Sequence, residues 1–238
     1  MNEQVKIKCR ANDKLELKVT PGHYSSDRFH VNYYIDMSTL KMRQTEAKMV
    51  AKTMAEKYIT KVKLKSGVGM ASMFAGEGFM EQGANFKPID TIICMDGCEA
   101  IGAYLADELL AQGYPINTQH NSFYVVTPEF DNRGQMVVRK NIKPMIKGRN
   151  VLVVLATAMS GRTISKAIGT ILAYGGKITG LSVIFANVDN VDGYPVNGVF
   201  TKEDLPNFCL ADPCNCPDCK AGKKLTAVVN SYGYELFE

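Results

Sequence analysis

Apolar and charged residues alternate through "VKIKC" (5–9) and "KLELKV" (14–19) on either side of "RAND", a pattern that predicts an N-terminal β-hairpin. A polar, aromatic-rich stretch follows, "PGHYSSDRFHVNYYIDMS" (21–38), ending in a short extended segment. Residues 39–59 place Met42, Ala47, Met49, Val50, Met54 and Tyr58 at roughly helical spacing with charges between them. This predicts an amphipathic helix whose methionine stripe is core. The Gly- and Met-rich stretch 66–88 has no clear period and reads as a long connection.

From residue 89 onward the pattern changes to apolar runs alternating with helical segments. "IDTIICMDG" (89–97) and "GRNVLVVLA" (148–156) predict buried strands, and "KITGLSVIFA" (177–186) predicts a third. Helices are expected at "CEAIGAYLADELLAQG" (98–113) and "TISKAIGTILAYGG" (163–176), the latter with a glycine cap. Between them, "NSFYVVTPEF" (121–130) and "GQMVVRKNI" (134–142) read as two strands joined by "DNRG". Strand and helix in alternation predict an α/β fold with a doubly wound, mostly parallel sheet. The expected organisation is an N-terminal hairpin and hood segment over 1–40, a core over 41–190, and a Cys-rich cap over 191–238 packing on the core.

Composition adds limits rather than detail. The chain has 238 residues, 46% of them hydrophobic, and a net charge of +4. So slight a positive charge gives no reason to expect a nucleic-acid partner, while it suits an anionic small molecule. The N-terminal "MNEQVKIKCR" lacks a signal-peptide core and no apolar run is bilayer-length, so no membrane is expected and a cytoplasmic location is the default.

The stretch "VLVVLATAMSGRT" (151–163) carries the chemistry. A strand, a turn of small residues and a helix start aim backbone N–H groups and the helix dipole at an anion. Ser160 and Thr163 offer hydroxyls, Gly161 allows close backbone approach, and Arg162 adds a full charge. An ordinary βα turn capped by Ser160 or Thr163 has the same pattern, and the spacing leaves both readings open.

The same stretch resembles the phosphoribosyl-diphosphate motif of type I phosphoribosyltransferases: a hydrophobic strand, two acidic residues, two freer positions, then a Thr-Thr-Gly-Gly-Thr-like loop. The resemblance implies that Thr157, Ala158, Met159, Ser160, Gly161, Arg162 and Thr163 surround the 5-phosphate. It also places Leu155 and Ala156 where the acidic pair belongs. "DTIICMDGCEAIGAYLADEL" resembles the family's pyrophosphate-contacting loop, implying that role for Asp96, Gly97 and Cys98. "HYSSDRFHVNYYID" is similar to the hood signature of the orotate enzymes, implying Ser25, Ser26 and Arg28 near the base. "VRKNIKP" resembles the start of their catalytic loop, which would make Arg139, Lys140 and Lys143 catalytic. Fold, Mg²⁺, a phosphoribosyl diphosphate donor, a nucleobase or nucleotide partner and a homodimer are implied with it.

Two departures from the family pattern stand out. Leu155 and Ala156 cannot accept the hydrogen bonds an acidic pair makes to ribose, a loss of roughly 3–6 kcal/mol at ~1.5–3 each. Only "NIKPMIKGR" lies between Lys140 and Asn150, so the catalytic loop is short. Two functions are therefore expected as alternatives. One is an orotate-type phosphoribosyltransferase acting on a pyrimidine-like base with release of pyrophosphate. The other is a weak or inactive relative that binds a phosphorylated nucleotide metabolite as a regulatory module.

Of seven cysteines, Cys209, Cys214, Cys216 and Cys219 fall in one run spaced C-x4-C-x-C-x2-C. The inner C-x2-C is a zinc-knuckle half-site, so the four cysteines are a candidate Zn²⁺ set, and a turn-rich cap with packed thiols is the alternative. A similar Cys-Pro-x-Cys-x-x-Gly segment occurs in some orotate phosphoribosyltransferase relatives. His23, His30 and His120 stand too far apart in sequence to form a ligand set by spacing. "GVGMAS" (67–72) lacks the third glycine of a dinucleotide fingerprint.

Overall fold

The computed structural model describes residues 3–26, 28–63, 88–116 and 118–237. "GVGMAS" and nearly all of the Gly- and Met-rich connection lie outside the described residues. In chain order the elements begin with strands β1 (Val5–Lys8), β2 (Glu16–Ser25) and β3 (His30–Asp36). Helices α1 (Ser38–Met42) and α2 (Gln44–Lys63) follow, then β4 (Thr91–Cys94), α3 (Glu99–Ala111), β5 (Tyr124–Val126), β6 (Glu129–Phe130) and β7 (Met136–Val137). Next come β8 (Asn150–Ala158), α4 (Arg162–Ala173), β9 (Lys177–Ala186), β10 (Asn190–Val191) and β11 (Tyr194–Thr201). The chain ends with β12 (Leu210–Ala211), a one-turn helix α5 (Pro217–Lys220), β13 (Ala227–Asn230) and β14 (Gly233–Leu236).

The core sheet has the order β10-β11-β9-β8-β4-β5, parallel throughout except for β10. Its strands read as apolar runs because both faces are covered. Along β8, Leu152, Val154 and Ala156 enter the cluster that contains α2 and α3. Val151, Val153 and Leu155 enter the opposite cluster with Ile164, Ala167, Ile168 and Ile171 of α4. Period-two alternation thus divides one continuous hydrophobic string between two layers.

A second sheet is built from both ends of the chain, in the order β12-β3-β2-β13-β14, with β1 pairing with β2 beside that path. The expected first helix is broken: Arg43 adopts an extended conformation (ψ 121°) and separates α1 from α2. Met42, expected in the buried stripe, is 66% exposed as a result, while Ala47, Val50, Met54 and Tyr58 keep the core face. The core also takes in β11, which pairs in parallel with β9 although composition assigned its residues to the cap. No described helix is long and apolar enough to cross a membrane.

Candidate functional site

Parallel strands end on the same side of a sheet, so the turns after β4 and β8 are neighbours, with Cys94 paired to Val154. Gly161 precedes α4 with φ 77°, in the left-handed region, and no side chain caps the helix. The first-turn N–H groups therefore point outward without an intrahelical partner. Ser160, Arg162 and Thr163 are exposed around them. Asn187 holds the turn from below, its Nδ2 donating to the Met159 carbonyl at 3.0 Å and its backbone N–H to that of Ala158 at 2.9 Å.

After β4 the chain makes a tight turn in which Asp96 (φ 55°) and Gly97 (φ 77°) are both left-handed. Lys41 of α1 reaches this turn from the second sheet's side. Its Nζ donates to the Asp96 carbonyl at 2.9 Å and to the Ser231 carbonyl at 2.6 Å, and Lys41 is only 2% exposed. This strut had no signature in the sequence, where Lys41 looked like one more charge on an amphipathic helix. The thiol of Cys98, the third residue expected at the diphosphate, is buried, and its N–H donates to the Met95 carbonyl at 3.1 Å.

Burial pushes the Asp96 carboxyl pKa up, with Glu99 adding to the rise and Lys41 opposing it. The protonated form is thus favoured in the fold, so ionised Asp96 costs stability above its folded pKa and nothing below the usual carboxylate value of about 4. Asp96→Asn should raise the denaturation midpoint at neutral pH, and the gain should shrink as pH falls toward that value. A constant gain across the range, read by denaturant titration at several pH values, would remove the charge-burial explanation.

Between the end of β8 and the second sheet lies a cavity of about 200 Å³. Ala156, Thr157 and Met159 form one side, and Phe29, Tyr33, Tyr34 and Tyr232 give it aromatic walls. Tyr34 meets Tyr234 edge to face at 4.9 Å, which fixes its ring. Ser26 lines the cavity, and its Oγ donates to the Phe29 carbonyl at 3.0 Å; Ser25 and Arg28 are not among the lining residues. The residues from β13 and the turn that follows it, including Asn230 and Tyr232, were not anticipated, since nothing local marks a tail that returns over the core.

The expected catalytic set does not assemble here. The Lys143 ammonium sits 5.1 Å from the Tyr174 ring at the C-terminal end of α4. Twelve helical residues at about 1.5 Å each put it roughly 18 Å from the Gly161 turn, on the opposite edge of the sheet. Arg139 is exposed and pairs with Glu129 Oε2 at 2.5 and 2.9 Å, bracing the β6–β7 hairpin. Lys140 is exposed in the following turn and does not line the cavity. The short segment after β7 runs beneath α4 rather than over the site.

The donor set does not fit a protein-held Mg²⁺. Mg²⁺ sites use one or two carboxylates with substrate phosphates, but Leu155 and Ala156 near the end of β8 are 0% and 2% exposed and carry no side-chain oxygen. Asp96, in the turn after β4, has a carboxyl that burial makes harder to ionise, against the pull of Lys41.

The four-cysteine set divides as well. Cys216 and Cys219 meet His23 and His30, with all four donor atoms within 4.8 Å of one another. Cys209 lies apart, its backbone N–H bonded to Asn32 Oδ1 at 2.7 Å, and Cys214 is exposed, its N–H bonded to Asp212 at 2.9 Å. The cause is β12, which pairs with β3 and carries the chain past Cys209 before the C-x2-C turn settles over the β2–β3 connection.

No family model matches the chain, and no curated protein matches it. Among solved structures, Mycobacterium tuberculosis orotate phosphoribosyltransferase with inorganic phosphate is 12% identical, at a TM-score of 0.46, over 74% of this chain and 81% of that one. Leishmania donovani UMP synthase is 16% identical, at 0.47, over 79% of this chain and 34% of that one. The hypoxanthine phosphoribosyltransferase of Trypanosoma cruzi is 15% identical, at 0.42, over 66% and 78%. Two of these three structures are phosphoribosyltransferases, one of the orotate and one of the hypoxanthine kind.

Proposed function

We propose that this protein is a phosphoribosyltransferase that joins a flat, pyrimidine-like base to ribose 5-phosphate. The observation that supports it is the aromatic cavity opening beside the glycine-started helix α4, on the same sheet edge as the Asp96–Gly97 turn. A base stacks between Phe29, Tyr33, Tyr34 and Tyr232, while the first-turn amides of α4, with Ser160, Arg162 and Thr163, hold the 5-phosphate. The diphosphate then lies against the turn that Lys41 braces. In the transfer, a ring nitrogen of the base bonds to ribose C1 and the C1–O bond to the diphosphate breaks. Pyrophosphate leaves with the electron pair, and the base's N–H proton passes to solvent. The chain's part is to fix both partners and to exclude water, which is the larger share of such a displacement. A homodimer belongs to the same reading.

Buried Leu155 and Ala156 favour a second reading, in which the site binds a phosphorylated nucleotide without turning it over. The test is pyrophosphate release from phosphoribosyl diphosphate with Mg²⁺ and orotate, then with other bases. Base-dependent release supports transfer and names the acceptor. Saturable binding of the donor or of a nucleoside monophosphate without release moves the protein to the second reading. Neither release nor binding overturns both.

A further inference from the structure

A β-bulge sets up a constellation away from the phosphate turn. Between Pro21↔Tyr33 and Tyr24↔Val31, two residues of β2, Gly22 and His23, face the single Asn32 of β3. Such a bulge re-aims a side chain, and here it brings His23 beside His30 at the start of β3. The two rings lie edge to face with Nε2 of His23 3.1 Å from Nδ1 of His30. The C-x2-C turn at α5 closes over them. Cys216 Sγ is 3.4 Å from His23 Nε2, and Cys219 Sγ is 3.6 Å from the same atom and 3.2 Å from His30 Nδ1.

We infer that His23 Nε2, His30 Nδ1, Cys216 Sγ and Cys219 Sγ form a structural Zn²⁺ site. Zinc bonds of about 2.0 Å to nitrogen and 2.3 Å to sulfur put tetrahedral neighbours about 3.3 Å apart for two nitrogens and about 3.8 Å apart for two sulfurs. Four of the six separations, at 3.1–3.6 Å, fall around that edge length and all six are within 4.8 Å, so an ion at the centre needs Cys216 to move at most about an ångström. The outer contacts agree. His23 Nδ1 is 2.9 Å from the Lys223 carbonyl, which can only accept, so Nδ1 carries the proton and Nε2 presents its lone pair inward. Four protein donors leave no open position, which makes the site structural rather than catalytic. Three of the four residues are buried, and exposed Cys219 leaves a path for entry.

The ion would tie the β2 bulge and the first residue of β3, both on one hairpin, to the distant turn that leads to β13. Ser26 and Phe29, both lining the cavity, lie on the connection between the two histidines. Metal binding therefore sets the shape of one cavity wall without touching a ligand there. The inference stands whether or not the site beside it transfers phosphoribose.

The test is metal content of the intact purified chain by mass spectrometry. One zinc per chain is expected, falling below a tenth in Cys219→Ser and in His23→Asn, and unchanged in Cys209→Ser and Cys214→Ser. Because a ligand variant can fail to fold, a second measurement uses the unaltered chain, stripped with a chelator under reducing conditions and titrated with Co²⁺. Tetrahedral His₂Cys₂ ligation should give intense visible absorption with thiolate-to-cobalt charge transfer at one equivalent, displaced by Zn²⁺. A chain that purifies without zinc and gives no such spectrum overturns the site. Loss of metal in Cys209→Ser or Cys214→Ser, with His23→Asn unaffected, overturns the ligand set in favour of the cysteines alone.

Discussion

Gly161→Val should weaken binding of ribose 5-phosphate on the order of 100-fold and lower stability by about 2–4 kcal/mol. Two separable causes act at this residue. Its φ of 77° is a conformation that costs a residue with a side chain about 1–2 kcal/mol. A Cβ there would also stand 2.7 Å from Val191 Cγ2, a clash worth roughly 1–3 kcal/mol unless Val191 moves. Relief of either strain tilts the start of α4 and turns its first amides away from the anion. Losing two charge-assisted hydrogen bonds, at about 1.5–3 kcal/mol each, is enough for the 100-fold figure. Adding Val191→Ala removes the clash but not the backbone strain, so the double variant should recover at most part of the stability without recovering affinity. Calorimetric titration reads the binding, and an affinity within twofold of the original would end the assignment of this turn to phosphate.

The second large effect is expected at Lys41→Met, a loss of about 2–4 kcal/mol. The substitution keeps most of the stem and removes both bonds from the ammonium, leaving the Asp96 and Ser231 carbonyls short of a donor. Hydrogen bonds to a charged group count about 1.5–3 kcal/mol each, and relief of the buried charge offsets part of that. What distinguishes a strut from ordinary packing is where the damage appears. Amide hydrogen exchange should quicken at two places far apart in sequence, the turn at 95–98 and the connection at 230–232. Acceleration confined to α1 would show that Lys41 does not hold those segments together.

How much of this could be read from the sequence depended on whether the information was local. β9 was legible to the residue because a strand covered on both faces is apolar along most of its length rather than at alternate positions. The 151–163 stretch was legible because a left-handed glycine between strand and helix leaves a mark in one short window. β11 was not, since "YPVNGVFT" interrupts its apolar residues with Pro195, Asn197 and Gly198. Gly198 is required by contact: a Cβ there would lie 2.5 Å from the Phe200 carbonyl oxygen. The candidate metal ligands were half legible. The cysteine pair announced itself by spacing, but the histidines come together only through a bulge and a strand register that no spacing rule contains. Lys41 was missed for a related reason. The break at Arg43 makes α1 a separate turn of helix, and a lysine that looked solvent-facing on one long helix is buried on the short one.

The second sheet also carries a consequence for the order in which the protein matures. β2 finds β1 and β3 close by in the chain, but its remaining neighbour, β13, pairs Ala227 with Tyr24 across nearly the whole sequence. During synthesis the core sheet has all its strands once Thr201 is made, and the turn at Gly161 can close then. The aromatic wall has to wait for Tyr232. Until that segment arrives, the Tyr24–Ser25 end of one β2 edge is unpaired beside an apolar face, the kind of exposed strand that attracts other chains. On the proposed function, a nascent chain would hold phosphate before it could hold a base, and its interval of greatest aggregation hazard would fall between those two events.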